Sequence, residues 1–254
     1  MRKIELLTWE DFPKHAENVK KSLEGIYEVE LKVEFSEIQL NDLCPTEEFL
    51  EKDKLTLIFV KIVNEGYNVP IITVKQQKDY FILDGHHRSY ILTKLMEKTV
   101  RAYVLKFPES KNYRAQPRRR LEELPIKDVA PIDNPILRAW AQILTLLKYY
   151  ELLYNISFKL KRVKVPLSDL IPTQPQILKR QIDSISEILV PILCVKEDNR
   201  FYILDGHARS LRAKQLKMSC IKAFILFPER EINFGIAKTA KNLNLASLDD
   251  IKIV

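Results

Sequence analysis

The chain has 254 residues, and its hydrophobic content of 46% is enough for the core of one large domain or of two small ones. A net charge of +7 permits anionic partners, but Lys and Arg are spread along the chain, as on the Lys/Glu-rich surfaces of hyperthermophile proteins. Three cysteines show no metal-ligand spacing and cannot all pair, which is typical of a reducing cytosol. Early charges break any apolar signal segment, and no apolar run is long enough to span a membrane, so we expect a cytoplasmic protein without a membrane partner.

The first part of the chain is predicted to mix helices and strands. A leader contains a helix from Thr8 to about Leu23 and an alternating strand at 27–35, and we interpret it as an addition to the unit that follows. Pro45 and Thr46 predict the start of a helix that ends near Glu65. Strands at 69–74 and 80–83, a helix at 86–97 and a strand at 100–107 come next.

The middle of the chain is basic and then apolar. Four arginines lie within 114–120, where they suit either a contact with nucleic acid or, because two glutamates follow at once, a solvated helix face. Apolar positions at helical spacing predict one helix over 136–154. Further on we expect a helix at 175–187, strands at 191–195 and 201–204, a helix ending near 216, a strand at 221–227 and a helix at 235–242.

One motif combines a strand, a tight turn and a helix start, and it covers Ile82–Ser89. The pair Asp84 and Gly85 predicts the turn, because glycine adopts positive φ without steric cost. The two histidines and the arginine that follow therefore lie at a helix N-terminus, where free backbone N–H groups and the helix dipole favour an anion. A phosphate cradle fits these residues, and the alternative is a polar turn whose side chains cap the helix.

The motif returns 121 residues later as Ile203–Ser210, and its flanks return with it. Val69-Pro70 is matched by Val190-Pro191 at the same spacing, and Pro45-Thr46 is answered by Pro172-Thr173. The chain is therefore interpreted as a tandem duplication of a unit of about 90 residues. We expect a first domain at 1–131, a connecting helix at 132–157 and a second domain at 158–254. Each domain is predicted to be an α/β (α+β) unit with a small mixed sheet and flanking helices.

A strand that ends in Asp-Gly-His-His-Arg-Ser, with an apolar-Pro strand and a Leu-x-Pro upstream, resembles the ParB/sulfiredoxin superfamily. The resemblance covers roughly 35–107 and 163–227 and implies that nucleotide phosphate binds at the motif helix. Sulfiredoxins need a cysteine after the motif glycine, and here His86 and His207 occupy that position. Partition proteins of the superfamily carry Glu-Arg-Arg after the glycine and a following helix-turn-helix domain, and neither is recognisable here.

Repeat one is most similar to the archaeal ADP-dependent free serine kinases, which carry Asp-Gly-His-His-Arg and an upstream Pro-x-Glu. The resemblance implies that Glu47 is the catalytic base and that Asp84 binds Mg²⁺ or orients the acceptor hydroxyl. It implies a phosphate site formed by Gly85, His86, His87, Arg88 and Ser89. The implied donor is ADP or ATP, with Mg²⁺, and the implied acceptor is L-serine. Without the resemblance, Glu47 fits a helix N-terminus and Asp84 a turn that bonds its own backbone.

Repeat two departs from that pattern. Gln174 stands where repeat one has Glu47, Ala208 replaces His87, and the segment between Pro172 and Pro191 is six residues shorter than its counterpart. Because an amide cannot accept a hydroxyl proton, we interpret repeat two as a degenerate copy that binds a second nucleotide or stabilises the assembly. The residues of that second nucleotide site are Asp205, Gly206, His207, Arg209 and Ser210.

The alternative to a kinase is a nucleic-acid-binding protein of the ParB type, gated by nucleotide and with DNA as its partner. The basic composition and the arginines at 118–120 favour it, and the lack of a recognisable helix-turn-helix counts against it. Nuclease activity is a third option in this superfamily, but no cluster of metal-binding carboxylates stands out in the sequence.

Overall fold

The computed structural model describes residues 3–114 and 119–254. The chain divides into two compact units, Met1–Ala141 and Gln142–Val254, which we call unit one and unit two. The division falls inside the long helix that the sequence assigns to a connecting segment. Arg118, which belongs to the predicted basic segment, lies outside the described residues.

Unit one begins with the leader helix and continues with short strands and two further helices. Its elements in chain order are α1 (Phe12–Tyr27), β1 (Lys32–Gln39), β2 (Leu43–Cys44), β3 (Leu50–Glu51), α2 (Lys52–Glu65), β4 (Ile71–Gln76), β5 (Asp79–Asp84), α3 (His86–Lys94), β6 (Thr99–Lys106), β7 (Ile126–Lys127) and the first part of α4 (Pro135–Tyr154).

A mixed sheet forms the centre of unit one, with the strand order β1-β6-β4-β5-β2 among the described residues. Strand β4 pairs antiparallel with β5 and parallel with β6, and β2 runs parallel to β5. Ile71, Ile72 and Val74 of β4 are fully buried. This explains why the strand reads as a continuous apolar run, since a central strand with parallel pairing is covered on both faces.

The leader packs on this sheet. Phe12, Ala16 and Leu23 of α1 are buried against a cluster that includes Val74 and Leu105. The ring of Phe12 meets that of Tyr103 edge to face, with 6.1 Å between centroids. Helix α1 of the leader therefore covers core surface of unit one.

Two predicted helices begin later and are shorter in the structure. Helix α2 begins at Lys52 rather than at Thr46, because β3 intervenes and pairs with β7, and the Leu50 N–H donates to the Pro125 carbonyl at 2.8 Å. In the second half, the helix predicted at 175–187 is reduced to Lys179–Asp183 for the same reason, a short strand pair. Arg119 and Arg120 are not helical, so the helix-face interpretation fails for them.

Unit two repeats this order of elements without a counterpart of α1. It contains the rest of α4 and then β8 (Phe158–Pro166), β9 (Leu170–Ile171), β10 (Gln176–Ile177), α5 (Lys179–Asp183), β11 (Ile192–Glu197), β12 (Arg200–Asp205), α6 (His207–Gln215), β13 (Cys220–Pro228), α7 (Ile236–Asn242) and β14 (Lys252–Ile253). Its main sheet has the order β8-β13-β11-β12-β9, with the same pattern of parallel and antiparallel pairs as the sheet of unit one.

The predicted α/β class is confirmed: the described residues form two five-stranded mixed sheets with flanking helices. The single helix predicted at 136–154 is also confirmed. Within unit one its Trp140 is fully buried and packs edge to face on Phe59. Within unit two its Tyr150 and Tyr154 join a ring cluster with Phe158.

Candidate active site

Gly85 creates the turn that joins β5 to the motif helix α3. Its φ is +107°, and a Cβ at this position would lie 2.4 Å from Cγ2 of Ile71. Both the conformation and the close approach require glycine. The polar residues that follow are therefore fixed at the N-terminus of α3, where the first N–H groups of a helix have no partner within it.

His86 is buried and holds the loop that carries Glu47. Its Nε2 accepts the backbone N–H of Thr46 at 2.9 Å and that of Glu47 at 3.3 Å. Because a backbone N–H is always a donor, Nε2 carries no proton and the neutral ring bears its hydrogen on Nδ1. Burial lowers the pKa of His86 to about 4, so the ring is neutral at physiological pH.

His87 has the same tautomer for the same reason. Its Nε2 accepts the Glu51 N–H at 3.0 Å, which leaves the hydrogen on Nδ1. Burial lowers the pKa of His87 to about 3, and the nearby Lys54 ammonium acts in the same direction. Two neighbouring imidazoles thus enter the site as neutral N–H donors rather than as cations.

Glu47 faces both imidazoles from a loop. Its Oε1 lies 3.4 Å from Nδ1 of His86, and its Oε2 lies 3.9 Å from Nδ1 of His87. Burial raises the pKa of Glu47, helped by the charges of Asp84 and Glu51 and opposed by Lys54. Since Glu47 precedes α2 by several residues, it is not a residue of the helix start. A carboxylate with a raised pKa beside hydrogen-bond donors suits a general base.

Asp84 is paired with Arg88 one helical turn away. The Arg88 Nη2 donates to the Asp84 carboxylate at 2.7 Å and to the Pro70 carbonyl at 3.0 Å, and Nη1 donates to the Tyr67 hydroxyl at 3.0 Å. Arg88 is buried, and its terminal nitrogens are occupied by protein acceptors. Arg88 therefore supports the carboxylate of Asp84. The expected contact of Arg88 with phosphate remains a prediction.

These residues line an open pocket of about 500 Å³. Glu47, Asp84, Gly85, His86, His87 and Arg88 all contribute to its wall. Ser89 does not, because its side chain is fully buried within the fold. The predicted site residues of repeat one, apart from Ser89, are therefore brought together in one cavity.

The pocket also has wall residues that the sequence did not indicate. The leader contributes Leu6, Leu7, Asp11 and His15, and α2 contributes Lys54 and Ile58. Lys54 and Ile58 are four residues apart on α2, so they share one face of the helix. No motif in the sequence singles out either residue.

Unit two has a matching turn and histidine. Gly206 has φ +103° and would place a Cβ 2.5 Å from Ile192. His207 accepts the Thr173 N–H at 3.0 Å, and burial lowers its pKa to about 4. Arg209 donates to Asp205 at 2.6 Å. The Ser210 hydroxyl donates to the Gly206 carbonyl at 3.1 Å and lies outside the pocket wall.

The pocket of unit two measures about 360 Å³ and has lost the ionisable side chains that distinguish unit one. At a spacing of 127 residues, Glu47 corresponds to Gln174 and Lys54 corresponds to Gln181. At the motif spacing, His87 corresponds to Ala208. This cavity is still lined by four residues of the motif, Asp205, Gly206, His207 and Arg209. The counterparts of Glu47 and Lys54 are not ionisable.

Within residues 3–114 and 119–254, no group of three or more His, Cys, Asp or Glu side chains is arranged to hold a metal ion. The same residues include no helix with the length and apolar character needed to cross a membrane.

Residues 17–129 match the family model described as the ParB N-terminal domain. This part of unit one is therefore similar to the ParB N-terminal domain. A curated relative, an uncharacterized protein of Methanocaldococcus jannaschii, is 32% identical over 113 residues, which are 42% of this chain and 42% of the relative. The match thus covers less than half of that relative's length.

Two solved structures are similar to parts of the chain. A conserved hypothetical protein from Pyrococcus furiosus has a TM-score of 0.25 at 29% identity, with 31% of this chain and 35% of that chain covered. A protein from Agrobacterium tumefaciens has a TM-score of 0.30 at 17% identity, with 49% of this chain and 85% of that chain covered.

Proposed function

We propose that unit one is a nucleotide-dependent phosphotransferase that phosphorylates the hydroxyl of a small molecule, with free L-serine as the acceptor. The observation that carries the proposal is the placement of Glu47. Its carboxylate has a raised pKa and faces the Nδ1 atoms of two neutral, buried histidines inside an open cavity. Transfer of a phosphoryl group to a hydroxyl needs such a proton acceptor.

Glu47 acts as the general base in this proposal. It accepts the acceptor's hydroxyl proton on a carboxylate oxygen while the hydroxyl oxygen bonds to the transferred phosphorus. The bond between that phosphorus and the leaving oxygen breaks, and its electron pair stays on the leaving nucleotide. A bound ADP or ATP supplies the phosphoryl group. The exposed fraction of the Glu47 side chain, 42%, leaves it open to a ligand that enters from solvent.

The donors of the pocket fit a phosphate. Nδ1 of His86 is buried and has no hydrogen-bond partner within the described part of the chain, so its N–H is available to an acceptor atom. Lys54 and the first N–H groups of α3 would hold phosphate oxygens beside it. Arg88 would hold Asp84 in place, and the Asp84 carboxylate would serve Mg²⁺, which commonly binds one or two protein carboxylates together with substrate phosphate.

We infer that unit two is a degenerate duplicate of unit one. Both units have the same strand order, and the contact of Thr173 with His207 matches that of Thr46 with His86. These shared features support a common origin. Gln174 cannot accept a proton, and no cation replaces Lys54 at Gln181. Unit two would therefore bind a nucleotide weakly or not at all, and it would not turn it over.

A ParB-like nucleic-acid-binding function is the second candidate, and the family match favours it. Two of the described arginines of the basic segment have acceptors within the protein. Arg119 donates to the Glu47 carbonyl at 3.0 Å, and Arg120 donates to Glu122 at 2.9 Å. If duplex DNA is the partner, its affinity should fall steeply with salt, and charge reversal at both arginines should flatten that slope.

The test is a panel of ADP, ATP and free amino acids with product identification by mass spectrometry. We expect O-phosphoserine from one nucleotide and serine. A panel without any phosphorylated product, together with a salt-sensitive duplex complex, would overturn the kinase proposal in favour of DNA binding.

A further inference from the structure

A segment from Arg119 to Asp128, which we call the strap, runs along the loop and strand that carry the proposed base. Strand β7 of the strap pairs with β3, and Pro125 accepts the Leu50 N–H. At its far end, Asp128 forms an ion pair with Lys52 at 3.2 Å. At its near end, the Arg119 guanidinium donates to the backbone carbonyl of Glu47 at 3.0 Å.

Three buried contacts hold the strap in place without Arg119. Leu121 and Leu124 are 4% and 1% exposed. Glu122 forms an ion pair at 3.3 Å with Lys94, a fully buried residue at the end of the motif helix α3. Arg119 is therefore not needed to dock the strap, and its bond to Glu47 is an addition to a segment that is already anchored.

The backbone of Glu47 is held at its N–H and at its carbonyl. Its N–H donates to His86, and its carbonyl accepts from Arg119. The loop between β2 and β3 has no regular secondary structure, so these two bonds fix the backbone from which the carboxylate projects. The charged neighbours that shift the pKa of Glu47 are Lys54, Asp84 and Glu51.

Unit two provides an internal comparison. The segment of unit two that corresponds to the strap begins at Ala246 and ends with strand β14, which pairs with β10. It carries buried Leu248 and Ile251 at the positions of Leu121 and Leu124. At the position of Arg119, 127 residues on, stands Ala246. The arginine is thus present in the unit that has Glu47 and absent from the unit that has Gln174, although both straps dock.

From this we infer that Arg119 is a positioning residue for Glu47, holding the base at the distance from the acceptor hydroxyl that proton transfer requires. The inference rests on the proposed kinase function. It assigns a task to the basic segment that is independent of nucleic acid. Because Arg119 acts through a carbonyl, its loss would displace the carboxylate and leave the phosphate donors untouched.

The test is steady-state kinetics of Arg119→Ala with nucleotide and serine. We expect kcat to fall by about 10²-fold, the scale of a displacement of roughly 1 Å, with the KM for nucleotide unchanged. Arg119→Lys, which keeps one charged donor, should recover part of the rate. Arg120→Ala is the matched control, since the Arg120 side chain is 68% exposed and donates to Glu122 within the strap; it should keep the wild-type kcat.

A double-mutant cycle adds a readout that a purely structural role would not give. In the Glu47→Gln background, Arg119→Ala should lower the residual rate no further, because the base that it positions is gone. Equal kcat for Arg119→Ala and wild type, or additive losses in the cycle, would overturn the inference. No phosphoryl transfer by the wild type would instead sink the proposed function, so the two failures are distinguishable.

Discussion

At the residue scale, the motif histidines of unit one are neutral rather than charged. The protein fixes the tautomers of His86, His87 and His207 by giving each Nε2 a backbone N–H to accept. Burial then lowers each pKa well below the usual value for histidine. Protonation of any of these rings would break the bond that holds the neighbouring loop.

This arrangement predicts how stability depends on pH. In the folded protein the pKa values of His86, His87 and His207 are about 4, 3 and 4, below the ordinary 6.5. At a pH between the folded and the ordinary pKa of a ring, the unfolded chain therefore binds more protons than the folded chain. The stabilisation is complete above pH 6.5 and is lost as pH falls toward 4, by up to about 1.4 kcal/mol per pH unit for each ring. Urea unfolding at several pH values measures this slope.

Two further observations check the same point. His87→Ala, which copies Ala208 of unit two, should reduce the slope by one ring's share. Imidazole NMR signals of the three motif histidines should stay at their neutral positions from pH 8 to pH 5. A motif histidine that titrates near pH 6.5 would contradict the assigned tautomers and burial.

Part of the site could be read from the sequence, because the motif residues are contiguous and chain direction alone places them at a helix N-terminus. Lys54 and Arg119 could not be read in this way. Lys54 lies on α2, outside the motif, and the fold of the chain brings it to the pocket. Arg119 meets Glu47 across 72 residues of chain, and no local pattern indicates such a contact.

At the element scale, the strand-turn-helix motif depends on a glycine that must have no side chain. Gly85→Ala should be destabilising by more than the roughly 1–2 kcal/mol that positive φ costs an L-residue, because the new Cβ also meets Ile71 at 2.4 Å. Gly206→Ala should behave similarly, with Ile192 at 2.5 Å. Thermal and urea unfolding of both variants measure the cost.

Two other glycines separate the contributions. Gly66 has φ +67°, and a Cβ there would have no atom within 4 Å, so Gly66→Ala should cost only the backbone strain. Gly25 lies in α1 with open space around it, and Gly25→Ala should stabilise by about 0.5–1 kcal/mol. If Gly85→Ala costs no more than Gly66→Ala, the close approach of β4 to the turn is not as described.

The elements of the sheets were largely predictable, since β4, β5, β11 and β12 are long, apolar and bounded by turns. The two-residue strands β3, β7, β10 and β14 were not. A pair of residues has no periodicity to detect, and each of these strands is defined by a partner far along the chain. The omission of β3 and β7 is what places Glu47 in the first turn of a predicted helix.

At the scale of the whole molecule, the two units share the strand order and most motif residues, and they differ in four ionisable side chains. The turn glycine, the accepting histidine and the Asp–Arg pair are present in both. Glu47, Lys54, His87 and Arg119 are present only in unit one, where the corresponding residues of unit two are Gln174, Gln181, Ala208 and Ala246. A common framework with these side chains in one unit is what the proposed duplication, with loss of the proposed activity in one copy, would leave.

Phosphorylation of free L-serine by the intact chain tests the assignment of Glu47 as the general base most directly. Steady-state rates would be compared for the wild type, for Glu47→Gln and for Glu47→Gln combined with Gln174→Glu. We expect the single variant to lose about 10²–10⁴-fold in kcat with nucleotide affinity little changed, since the amide keeps the shape and removes the proton acceptor. We expect no recovery in the double variant, because unit two still lacks the counterparts of Lys54 and His87. Full activity of Glu47→Gln, or recovery by Gln174→Glu, would contradict the assignment.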